Sequence, residues 1–128
     1  MIIESVRLSE KAKSQLVRVK ARTGINQWNH LCRWAFCLSL REPSIPPFED
    51  IVTNSNVEMT WKTFGGEIQD VYLGLLKTRL LNDNINLNNS NIHLYFKLHL
   101  HRGISYLAKN SESIGSLFIL HYDRKKGK

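Results

Sequence analysis

A chain of 128 residues, 42% of them hydrophobic, is long enough to bury the core of one domain without staples or a structural metal. Its 18 Lys and Arg against 11 Asp and Glu leave a net charge of +7, which points to a polyanionic partner such as nucleic acid or an anionic membrane surface. The longest apolar runs fall far short of a membrane-spanning helix, and a soluble, intracellular protein is expected.

The charge is unevenly spread. Residues 1–41 carry eight cations (Arg7, Lys11, Lys13, Arg18, Lys20, Arg22, Arg33 and Arg41) against Glu4 and Glu10, whereas residues 42–122 carry six against eight acids. The remaining excess lies in residues 123–128, expected as a basic flexible tail behind a single domain at 1–122.

In chain order, "IIESVRL" (2–8) alternates loosely, as a short half-buried strand does. Ser9 is placed to cap a helix over about residues 10–23. Ala12, Leu16, Val19 and Thr23 form its narrow apolar face, with Lys11, Arg18 and Arg22 on one flank and Lys13 and Lys20 on the other. Gly24 suits the left-handed position that closes such a helix. With Asn26 as its expected cap, a second helix at 27–40 holds Trp28, Leu31, Cys32, Trp34, Ala35, Phe36 and Leu38 over more than half its circumference, which demands central burial or a subunit interface.

The three prolines of "EPSIPPFEDIVTNSN" (42–56) mark an ordered connection, and "VEMTWKTF" (57–64) reads as extended. After Gly65-Gly66, a helix at 67–81 bears one stripe of Ile68, Val71, Tyr72 and Leu75 and a second of Leu73, Leu76 and Leu80, suggesting two packing partners, one of them a further copy of the chain. An asparagine-rich loop (82–91) leads to a helix at 92–108, capped by Asn91, in which Gly103 leaves room for close backbone approach. Residues 113–120 fit a helix or a strand. The fold class expected is mainly α: one compact helical domain with a short N-terminal strand.

Catalytic templates fail. No GxxxxGK[ST] or GxGxxG loop exists, and Gly65-Gly66 reads first as a plain turn rather than an anion cradle. His93, His99 and His101 lack metal-ligand spacing, since positions two apart on a helix diverge. Cys32 and Cys37 point about 140° apart on a helix and cannot readily bridge. Packing is the favoured role for such cysteines, and a reducing, cytoplasmic setting is expected. Met1-Ile-Ile is followed at once by Glu4 and Arg7, so no signal peptide is expected.

The order strand, basic helix, Thr-Gly turn, apolar helix over residues 2–40 resembles the ribbon-helix-helix arrangement of DNA-binding proteins, in which two chains pair their strands in the major groove. Arg7, and at most Ser5, are the base readers the strand offers, so phosphate contacts are expected to dominate.

At finer detail, "VRLSEKAKSQLVRVKARTGINQWNHLCRWAFCLSLREPSIPP" (6–47), "TFGGE" (63–67) and "LHLHRGISYL" (98–107) resemble the DndE family of the bacterial DNA phosphorothioation system. That resemblance implies a compact, mainly helical, non-catalytic subunit without a cofactor, assembling as a homotetramer and binding duplex DNA, preferentially nicked. It implies action beside a cysteine desulfurase, a sulfur-activating enzyme and an ATPase, with surface lysines as DNA contacts. The helix reading selects the residues: Arg7, Lys11, Lys13, Arg18, Lys20 and Arg22 to neutralise phosphates, and Trp28, Leu31, Trp34, Ala35 and Phe36 to build the core or subunit interface behind them. The alternatives are a sequence-specific ribbon-helix-helix repressor and a protein adaptor between the modification enzymes.

Overall fold

The computed structural model describes residues 2–126, with side chains described through Ser111. Strand β1 (Ser5–Arg7) leads into α1 (Glu10–Thr23) and α2 (Trp28–Arg41), followed by β2 (Glu58–Thr60), α3 (Trp61–Gly65), a 3-10 turn at Gly66–Ile68, α4 (Gln69–Asn82) and α5 (Asn89–Lys126). The fold is mainly α, with a small antiparallel sheet of β1 and β2 beside the helices.

Local chemistry sets the start and stop of α1. Ser9 Oγ accepts from the Ala12 N–H at 3.0 Å, Glu10 sits at the positive end of the helix, and Gly24 adopts φ 76°. Ala12, Leu16 and Val19 are buried against α5. Removing a side chain such as Leu16 from water is worth about 1.5–3 kcal/mol, which fixes the helix by one face and leaves the flanks outward.

Helix α2 lies centrally, as its broad apolar surface requires: Leu31, Cys32, Ala35, Phe36 and Ser39 are buried, chiefly against α5. At that crossing Gly103 packs directly on the Ala35 backbone. Phe36 meets Phe64 and Phe96 edge-on or tilted, at ring separations of 6.0 and 5.2 Å.

Several boundaries differ from expectation. Helix α2 begins after Gln27, with no side-chain cap, so Asn26 does not fill that role; burial of Leu31 and Cys32 sets the first turn instead. The cap of α5 lies at Asn88, whose Oδ1 accepts from the Asn91 N–H at 2.8 Å, while the Asn91 amide donates to Asn86 O. The segment 57–64 is extended only over its first half, because Thr60 Oγ1 accepts from the Thr63 N–H at 3.1 Å and starts α3. No proline interrupts the chain beyond residue 88, and α5 runs for 38 residues, so residues 113–120 are helical and residues 123–126 of the expected tail continue that helix. Gly127 and Lys128 lie outside the described residues.

Of the two stripes on α4, the one with Leu76 and Leu80 is buried, whereas Ile68, Val71 and Leu75 remain 52%, 54% and 43% exposed. Among the described residues, no helix is long and apolar enough to cross a membrane.

Candidate nucleic-acid interface

Two groups of basic side chains stand out. Arg33, Arg79 and Arg102 turn inward onto orphan carbonyls at helix ends, where positive charge also complements the helix dipole. Arg33 donates to the Phe64 and Thr63 carbonyls at the end of α3, and its Nη2 lies where a Cβ on Gly66 would meet it. The Gly65-Gly66 step is thus a turn closed by an arginine, with Gly66 at φ 62°. At the end of α2, Arg79 donates to Leu40 O (2.9 Å) and Ser44 O (2.7 Å), and Arg102 to Ser39 O (2.8 Å) and Ser44 O (2.9 Å). Asp83 balances Arg79 at 2.8 Å. These cations are spent inside the fold.

The second population lines α1 and β1, where sequence reasoning placed the site. Lys11 and Arg18 are exposed and form no ion pair among the described residues. Lys11 and Gln15 border a cleft of about 300 Å³ with Pro47, Glu49, Arg102 and Tyr106. Arg22 on the same flank is partly committed, donating to Ser111 Oγ at 3.0 Å and to Ala108 O at 3.4 Å. On the opposite flank the Lys20 ammonium stands 3.4 Å from the centre of the Trp28 ring, a cation–π contact in which burial lowers the lysine pKa. Lys13 borders a second groove with Trp28, Glu58 and Met59. Arg7 is paired across the sheet with Glu58 at 2.6 Å. Two cationic flanks therefore stand on opposite sides of one anchored helix, and Lys11 and Arg18 are its least committed charges.

His101 fixes the head of this helix. Its Nδ1–H donates to Lys97 O at 2.8 Å and its Nε2 accepts the Ser9 N–H at 3.2 Å, an arrangement that needs neutral imidazole; burial lowers its pKa. His99 is buried with Nδ1 2.8 Å from Ser39 Oγ, which also accepts from Arg102 Nε at 2.9 Å. Burial first, then the charges of Arg102 and Arg79, push the His99 pKa down to about 3. His99 faces Ser39 while His93 and His101 border one groove beside β1, and among the described residues no three His, Cys, Asp or Glu side chains gather at metal-binding distance. Burial pushes the Cys32 thiol up to about 12 and raises that of Cys37, the reverse of what activates a thiolate.

The strand–helix–helix order is present, but β1 pairs with β2 of its own chain, in the register Val6 opposite Met59. Its one basic side chain is already held by Glu58. Sequence reasoning missed the inward roles of Arg33, Arg79 and Arg102, whose carbonyl and Ser39 hydroxyl partners lie 30 to 63 residues away along the chain.

The family model described as DNA sulphur modification protein DndE matches residues 5–114. Among solved structures, the crystal structure of DndE from Escherichia coli B7A, involved in DNA phosphorothioation modification, shares 23% identity at a TM-score of 0.69, covering 84% of this chain and 98% of that one. A DndE mutant involved in DNA phosphorothioation shares 20% identity at a TM-score of 0.64, with coverage of 83% and 97%. No curated protein matches the chain.

Proposed function

Because the chain belongs to the DndE family of DNA sulphur modification proteins, we propose that it is a non-catalytic subunit of the phosphorothioation system that binds duplex DNA through phosphate contacts and scaffolds the modification enzymes. One observation carries the reading: α1 commits its apolar face to the core while Lys11 and Arg18 stand exposed and without an ion pair among the described residues. Charges on a rigid helix neutralise phosphates without reading bases, so affinity falls with salt and varies little with sequence. Arg22, Lys13, Lys20 and Arg7 add positive potential from positions already braced by Ser111, Trp28 and Glu58.

One copy turns only one flank of α1 toward a duplex. The exposed stripe of Ile68, Val71 and Leu75 supports assembly into a homo-oligomer, a tetramer being the expected form, which multiplies the cationic flanks. The expected partners are the sulfur-activating enzyme and the ATPase of the system, and the expected setting is cytoplasmic.

Fluorescence anisotropy with random-sequence duplexes, intact and singly nicked, tests the proposal. Affinity that falls steeply with salt, is indifferent to sequence and is higher for the nicked duplex is expected. No binding to either duplex at moderate salt would contradict it, and tight selection of one operator sequence would restore the repressor reading.

A further inference from the structure

The small sheet has a free edge. Leu8 N–H donates to Val57 O at 3.1 Å and Trp61 N–H donates to Glu4 O at 2.9 Å, so Glu4, Val6 and Leu8 face β2. By the alternation of an antiparallel ladder, the N–H and C=O groups of Ser5 and Arg7 point the other way. None of these groups has a backbone partner among the described residues.

That edge faces a groove of about 500 Å³ whose opposite wall is α5. Phe96 and Leu100 give the groove an apolar floor with Ile3 and Val6. Lys97, whose Nζ also donates to Ile51 O at 3.4 Å, and His93, one helical turn earlier, line the α5 side; Arg7, paired with Glu58, lines the strand side, and no carboxylate lines the groove. His93 spends Nδ1 on Asn89 O at 2.8 Å, leaving Nε2 toward solvent. Thr53, from the connection before β2, also lines it.

We propose that this groove is a docking site for an extended, acidic peptide segment of a partner protein, which adds as a third strand to the free edge of β1 and lies along α5. Alternating unpaired N–H and C=O groups need acceptors and donors in turn, which a peptide backbone supplies and a sugar-phosphate backbone, without N–H donors, does not. The apolar floor receives every second side chain of an added strand, and the Lys97 ammonium, which has no carboxylate partner among the described residues, attracts an acidic side chain beside them. A second copy's β1 is a poorer occupant, because Ser5–Arg7 holds no carboxylate to meet Lys97. The site is distinct from the exposed flank of α1 and does not depend on DNA binding.

The test uses the full chain and a library of eight-residue peptides alternating Val, Ile or Thr with Glu or Asp. Selected peptides are titrated by NMR and fluorescence anisotropy against the wild type, Ser5→Pro and Lys97→Glu. Ser5→Pro removes an edge N–H that the β1–β2 ladder does not use, and Lys97→Glu reverses a wall charge without touching the sheet. Peptides are expected to shift the Ser5 and Arg7 amides, and each substitution is expected to weaken binding about tenfold, as does N-methylation of the peptide backbone. Four results would overturn the proposal: selection of no peptide, binding that neither substitution alters, edge amides that shift with protein concentration alone because a second copy takes the edge, or displacement of the peptide from those amides by a single-stranded oligonucleotide.

Discussion

Gly103 of α5 and Ala35 of α2 approach so closely that a Cβ on the glycine would stand 1.7 Å from the Ala35 carbonyl oxygen. The obstacle is helix backbone, which cannot step aside as a flexible side chain can. Gly103→Ala is therefore expected to cost about 3 kcal/mol or more, at or beyond the upper end for an overpacked core, even though alanine favours helix locally. Urea unfolding followed by circular dichroism measures it. A midpoint unchanged from wild type would show that the two helices can separate without loss.

Ser39, His99 and Arg102 give stability a pH dependence of known sign. The folded-state pKa of His99 is depressed from 6.5 to about 3, so between those values the unfolded chain binds the proton and the folded chain does not. His99 thus favours folding fully above about pH 6.5, and its contribution falls as pH drops toward 3, by on the order of 3–5 kcal/mol across the window. Burial lowers the His101 pKa as well and acts in the same direction. Urea midpoints at pH 7 and pH 4.5 are expected to differ much less in His99→Gln than in the wild type.

Val71 is central to the exposed α4 stripe and makes no contribution to the core cluster of buried residues. Val71→Asp is expected to leave the fold of a single copy intact while placing a carboxylate in an apolar contact, at about 2 kcal/mol or more per interface. Sedimentation velocity at micromolar concentration should show a shift toward monomer, with an unaltered helical spectrum.

The features legible in the sequence were those decided within a few residues. Ser9, the Ala12–Leu16–Val19 stripe and Gly24 define α1 locally, and the breadth of apolar residues on α2 announced its central position. Cap assignments at Asn26 and Asn91 failed because several polar residues nearby could cap and tertiary burial chose the register. The inward arginines left no local signal for a similar reason: the carbonyls that hold them belong to other elements. The three blocks that resemble the DndE family meet in space at these contacts, Arg33 on Thr63 and Phe64, Ala35 on Gly103, and Ser39 on His99 and Arg102. Their spacing along the chain reflects packing more than DNA contact. The free edge of β1 was hidden because its direction depends on pairing with a strand 51 residues away.

The DNA-binding proposal turns most directly on Lys11 and Arg18, the α1 cations least committed within the fold. The double variant Lys11→Gln/Arg18→Gln, whose stability should match the wild type because both side chains are exposed, is titrated with random-sequence duplex from low to moderate salt. Loss of two phosphate contacts is expected to weaken binding to all sequences alike and to reduce the slope of log affinity against log salt by about 1–2 per chain bound. An unchanged slope would remove this flank of α1 from the DNA and contradict the proposal.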